Sequence, residues 1–257
     1  MRSAAVRAIA VNSFREMIRD KILYLLLFFG LLLIVVSRVI SWLTVGAEIK
    51  IIIDVGLAAI SVFGVLLATF IGISIVHKEI ERKTVYTIVS KPIHRYEFIA
   101  GKFLGLAWTL LLVLALMSAM LQVAIYLKTG HGNYPVLRAC FLIYFEMLIV
   151  VAIAILFSSF STPILSFLLT LGFYLVGHLS YGLIDLAAKV TSRTSQATLW
   201  ILYYLLPNLE NFNLKAAAVH GLPVPSGFVL TAVAYSFVYA SILLLLSIVI
   251  FRKRDFQ

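Results

Sequence analysis

Residues 136–157 read VLRACFLIYFEMLIVVAIAILF, an apolar run interrupted only by Arg138 and Glu146. A helix needs about 20 mostly apolar residues to cross a bilayer, and this run supplies them. Five other runs meet the same test: Ile22–Leu43, Ile51–Val76, Phe103–Leu127, Ile164–Leu183 and Phe228–Phe251. Over all 257 residues, 63% are hydrophobic and 12% charged, with a mean hydropathy of +1.08. Soluble domains have roughly 45–50% apolar and about 25% charged residues. The sequence therefore predicts an all-α polytopic membrane protein of six transmembrane helices, forming a single transmembrane domain over residues 1–257.

Two thirds of the 21 Lys and Arg residues fall in the N-terminus, the second loop and the C-terminus. The excess of basic residues marks the cytoplasmic side, so both termini are expected there. The net charge of +10 follows the same placement. It reads as a topology signal and as contact with anionic membrane lipid, not as nucleic-acid binding. Cys140 is the one cysteine, so neither an intramolecular disulfide nor a thiolate metal site is available; a buried, inert thiol is expected. The first run is too long for a signal peptide and lacks a small-x-small cleavage site. A bacterial cytoplasmic (inner) membrane is the expected location.

Three segments lie outside the runs. In residues 1–21, Val6, Ile9, Ala10, Phe14, Met17 and Ile18 recur at helical spacing, with Arg7, Arg15, Glu16 and Arg19 mostly between them. This pattern predicts an amphipathic helix in the headgroup plane; a simple signal-anchor flank is the alternative. Residues 78–97 predict a charged cytoplasmic helix carrying Glu79, Glu81, Arg82, Lys83 and Thr84, followed by Ser90 and Lys91 and halted at Pro92. It is either a solvated connector or a docking surface. Residues 184–227 are expected to be external. Within them Leu199–Leu206, including Trp200, Tyr203 and Tyr204, is too short to span; it ends at Pro207 and reads as re-entrant, interfacial or buried.

Chemistry-bearing motifs are sparse. There is no GxxxxGK[ST] loop, since Gly101-Lys102-Phe103 lacks both the upstream glycine and the hydroxyl residue, and there is no HExxH or GxSxG. The five histidines share no metal-ligand spacing. Glu146 stands out because a carboxylate near a bilayer centre is costly and must face protein or water. It is read either as a structural pairing group or as part of a translocation path with Gln122 and His178. Arg38 and Asp54, nearer the outer interface, are a candidate structural pair.

The string Glu79-Ile-Glu-Arg-Lys-Thr, continued by Lys91-Pro-Ile and Gly101-Lys102, resembles the ABC-2 family of ATP-binding-cassette transporter permeases. Asn12-Ser-Phe-Arg-Glu16 and Leu206-Pro-Asn-Leu-Glu210 resemble two further family segments. Lys83 departs from the glycine many members carry. The resemblance implies a transmembrane permease subunit of an exporter, not catalytic by itself. Two such chains, as a homodimer or a heterodimer, would work with a separate ABC ATPase subunit that binds ATP and Mg, leaving this chain without a cofactor. Glu79, Glu81, Arg82 and Lys83 would then be coupling residues, and Leu199–Asn213 a lid at the outer mouth. The cargo implied is an amphiphile: lipid, glycan or drug-like. Two other classes compete. One is a membrane scaffold that recruits an ATPase without translocating anything. The other is an ion-coupled carrier or membrane enzyme, which would call for more intramembrane polar groups than Glu146.

Overall fold

A computed structural model describes residues 2–19, 28–33, 35, 36, 39, 48–81, 95–180, 182, 189, 190 and 192–253. Among the described residues the chain is helical, with no strand. The helices are α1 (Arg2–Arg19), α2 (Glu48–Glu81), α3 (Arg95–Thr129), α4 (Tyr134–Ser158), α5 (Pro163–His178), α6 (Arg193–Leu205), α7 (Lys215–His220) and α8 (Phe228–Lys253). A short 3-10 turn, Leu209–Phe212, lies between α6 and α7. Four of these, α2, α3, α4 and α8, are long and apolar enough to cross a membrane. Most of the first expected span, Ile22–Leu43, lies outside the described residues, as does Arg38. The fifth, expected over Ile164–Leu183, is a helix of only 16 residues. Beyond it Ser180 and Gly182 are again helical, while Tyr181 and Leu183 lie outside the described residues.

The middle helix is α4. Asn133 caps its start by accepting a hydrogen bond from the Val136 amide, and Pro135 takes a position where no amide partner is needed. Every residue from Phe145 to Ile155 is buried, because α2, α3, α5, α7 and α8 surround this helix. Apolar lipid offers helices little hydrophobic reason to associate, so close packing by small residues has to do it. On α8 the buried positions are Ala232, Ser236, Ala240, Leu243 and Ser247, one stripe at helical spacing. The Ser236 hydroxyl donates to the Phe145 carbonyl at 2.8 Å.

The N-terminal helix is seated on protein. It packs along the first turns of α3. A Cβ on Gly105 would come within 2.7 Å of the Ala10 carbonyl oxygen, and one on Gly101 within 2.9 Å of Ile9 Cβ. Ser13 and Met17 are buried in this contact, while Ile18, expected on the apolar face, is exposed. The polar stretch His94–Gly101, which in sequence leads into the third span, is helical from Arg95, and Glu97 and the adjoining Lys102 are buried. Glu79 and Glu81 continue α2 as its final turns. Arg82, Lys83, Thr84, Ser90, Lys91 and Pro92 lie outside the described residues.

At the opposite end, Lys128 of α3 and Glu48 of α2 are paired at 3.0 Å, each about a third exposed. Exposed pairs of this kind contribute roughly 0–1 kcal/mol. Lys128→Ala should therefore lower the unfolding midpoint in detergent only slightly. A large drop would mean that this pair fixes the α2–α3 register.

Candidate functional site: a buried polar node at mid-depth

Glu146 is the central residue of α4, twelve residues from Tyr134 and twelve from Ser158. At 1.5 Å per residue it lies about 18 Å from either end. Its side chain is 2% exposed. Oε1 lies 3.3 Å from His178 Nε2, an ion-pair distance without the alignment of a directed hydrogen bond. The Tyr174 ring stands beside His178 on the same side of α5. Tyr174 and His178 are one turn apart on α5, their ring centroids 4.7 Å apart, and His178 Nδ1 is 3.3 Å from the Tyr174 carbonyl oxygen. Lys215, of opposite sign, and Glu210, of like sign, are close enough to act on the carboxyl through space.

Lys215 and Glu210 arrive on the segment between α6 and α8, which dips into the bundle. Leu209 and Phe212 are fully buried, and Pro207 is buried as well. Gly177 makes the approach possible: a Cβ there would lie 2.8 Å from the Pro207 carbonyl oxygen and from Leu209 Cγ. Asn208 ties the segment on two sides. Its Oδ1 accepts from the Ser180 hydroxyl at 3.0 Å, and its amide donates to the Tyr235 hydroxyl of α8 at 2.9 Å. Tyr235 immediately precedes Ser236, whose partner is Phe145, so the segment meets α8 at the depth of Glu146. Asn213 Nδ2 donates to Glu210 Oε1 at 2.8 Å, and the Lys215 amide donates to Asn213 Oδ1 at 3.3 Å. The backbone amides of Asn208, Asn213, Leu214 and Lys215 in this irregular stretch thus find partners inside protein.

Of the three residues expected around a path, Glu146 and His178 are together and Gln122 is apart. Gln122 donates to the Asn133 carbonyl at 2.7 Å and accepts from the Asn133 amide at 3.0 Å, clamping the α3–α4 turn. Thirteen residues of helical rise, about 20 Å, separate Asn133 from Glu146. The expected lid residues divide similarly. Trp200, Tyr203 and Tyr204 form a ring cluster on α6, with Trp200 and Tyr204 exposed, whereas Pro207 enters the bundle. The sequence reading missed Tyr174, Ser180, Lys215 and Tyr235 as members of the node. The alternation of polar and apolar residues in Leu206-Pro-Asn-Leu-Glu-Asn-Phe-Asn213 was the available signal. Among the described residues no group of three or more His, Cys, Asp or Glu is placed to hold a metal, and Cys140 is a buried free thiol.

Compared with known families, residues 7–256 match the sequence model of the ABC-2 family transporter proteins. The chain belongs to the ABC-2 transporter family. No curated protein matches it as a relative. As an ABC-2 chain with four long apolar helices, it is an integral membrane protein. Chains of the ABC-2 family are the membrane components of transporters. The node at Glu146 is thus a feature of an ABC-2 membrane component, enclosed where α4, α5, α8 and the segment between α6 and α8 meet.

Proposed function

We propose that this ABC-2 chain is the permease subunit of an ATP-driven exporter of an amphiphilic substrate in a bacterial cytoplasmic membrane. The observation that carries this reading is the family match across residues 7–256. Two facts support it. These 257 residues contain no phosphate-binding loop, so ATP would be hydrolysed by a separate subunit that holds the nucleotide and Mg. The final turns of α2 extend the helix to Glu79 and Glu81, so a push on these residues would act on a helix packed along α4. A helix moves as one body, which suits it to carry a partner's closure into the bundle. Glu79, Glu81, Arg82, Lys83, Thr84, Ser90, Lys91 and Pro92 form the proposed coupling region on the cytoplasmic side, with both termini. A second permease copy or relative completes the transporter. Trp200, Tyr203, Tyr204 and Pro207 belong to its outer lid, and any polar step of the path runs by Glu146 and His178.

The test is a pull-down of tagged protein in mild detergent, with mass spectrometry and an ATPase assay on the eluate. The expected result is a stoichiometric partner carrying Walker motifs, lost when Glu79 and Glu81 are both changed to Lys. Recovery of the chain alone under several gentle extractions would overturn the reading. ATPase recruitment with no ATP-dependent flux of any amphiphile from proteoliposomes would favour the scaffold instead.

A further inference from the structure

We propose that an anionic phospholipid of the bilayer binds in the groove between the first turns of α4 and α8, with its phosphate on Arg138. The groove has a volume of about 810 Å³, and its walls include Tyr134, Leu137, Arg138, Phe141, Leu230 and Val233. Ligand sites generally fall between roughly 300 and 1,000 Å³. A smaller pocket of about 310 Å³ adjoins it, sharing Arg138 and Val224 and reaching Leu214 and Ala218 of the segment between α6 and α8.

Charge selects the occupant. Arg138 is one turn inside α4 and exposed, and its guanidinium lies 4.6 Å from the Tyr134 ring centroid. That stacking holds the planar group at the rim while leaving its edge donors open. Among the described residues no carboxylate is paired with Arg138. The donors are therefore free for an acceptor from outside the chain, and a phosphate fits the guanidinium fork. Ser226 adds a hydroxyl to the same groove.

Polarity selects a lipid over a free anion. From Arg138 toward the middle of the bundle the walls turn apolar. Leu137 and Phe141 are one turn apart on α4 and half exposed, and Leu230 on α8 is 73% exposed. Cation at the end, apolar channel toward the middle: this is the layout of a head and an acyl chain. By the orientation read from the basic residues this end faces outward, so the lipid would come from the outer leaflet, its phosphate held by charge-assisted hydrogen bonds from the guanidinium. The proposal requires neither the ATPase nor transport, so it stands or falls apart from the permease reading.

Native mass spectrometry of the purified full chain in detergent tests it. Phosphatidylglycerol and phosphatidylcholine of the same acyl composition are titrated in turn, with inorganic phosphate as a third probe. Phosphatidylglycerol should bind about fivefold more tightly than phosphatidylcholine, the scale expected of one basic residue against an anionic lipid. Arg138→Gln should abolish that preference, and Leu230→Trp should weaken both lipids by filling the groove. Both side chains are exposed, so unchanged unfolding midpoints are expected for the two variants. An undiminished preference in Arg138→Gln, or undiminished binding of both lipids to Leu230→Trp, would overturn the proposal. So would displacement of phosphatidylglycerol by inorganic phosphate at equal concentration, which would assign Arg138 to a free anion.

Discussion

Gly72→Leu should cost this protein most of its monodisperse yield and lower its unfolding midpoint in detergent by several degrees. At Gly72 the backbone of α2 approaches α4 closely. A Cβ added there would lie 2.7 Å from Ala154 Cβ, with the Val151 carbonyl oxygen at 3.5 Å and Val151 Cα at 3.8 Å. None of these atoms is the free end of a long side chain. Ala154 is fully buried in the helix at the centre of the bundle. The two helices must therefore part, and overpacking of this kind costs about 1–3 kcal/mol or more. Separation also removes dispersion contacts along a long interface, with no compensating hydrophobic gain in lipid. Two controls make the result specific. At Gly30 the atom an added Cβ would meet is the terminal methyl of Met120, which can swing away. At Gly172 nothing lies within 4 Å, and leucine is a better helix former than glycine. Gly30→Ala and Gly172→Leu should both fold. If Gly72→Leu matches Gly172→Leu in midpoint, the α2–α4 contact is not where the bundle is held.

What the sequence made legible follows from the bilayer. Length and apolarity alone define a span, so α2, α3, α4 and α8 were readable from composition, and so was the central place of Glu146 in α4. What protein–protein packing decides was less readable. His94 to Gly101 reads as a polar lead-in because hydropathy registers residues such as Glu97 as unfavourable. That α1 packs against Gly101 and Gly105 is a contact no local window contains. The apolar face of α1 was legible as far as Met17. Its seat was signalled by Gly101-x-x-x-Gly105, a spacing that lets helix backbones approach, and by Ser13 opposite. The apolar residues of the fifth run were readable as a helix from Pro163 to His178, but its seat was not: Gly177 lies against Pro207 and Leu209, and Ser180 is tied to Asn208, on a segment about thirty residues away. The same holds for Gln122: its type suited a path, and only the fold shows both of its amide atoms engaged with Asn133.

Glu146→Ala is expected to loosen the segment 206–220, and Glu146→Gln to leave it in place. In the alanine variant His178 Nε2 and the Lys215 charge lose the carboxyl they face, and a void opens at the centre of α4. Removing one side of a buried polar contact typically costs about 1–3 kcal/mol, because the remaining polar groups stay buried without a partner. Glutamine keeps the volume and one oxygen acceptor, so its cost should stay below about 1.5 kcal/mol. The effect should also be local. Asn208 and Phe212 retain their contacts with Ser180 and Tyr235 but lose the charged side of the node, so residues 206–220 open first. Hydrogen exchange should therefore quicken across that segment in Glu146→Ala, while the α1–α3 contact exchanges as before. A double-mutant cycle with His178→Ala should return a coupling of about 1–3 kcal/mol if the two side chains act as one unit. Purely additive losses would mean that the 3.3 Å contact carries no energy. The glutamine variant then separates structure from transport. Because it folds, loss of ATP-driven flux in Glu146→Gln would place the carboxyl's charge on the substrate path. Full flux would leave Glu146 as the tie that keeps an irregular segment seated at mid-membrane depth, where unpaired backbone could not otherwise survive.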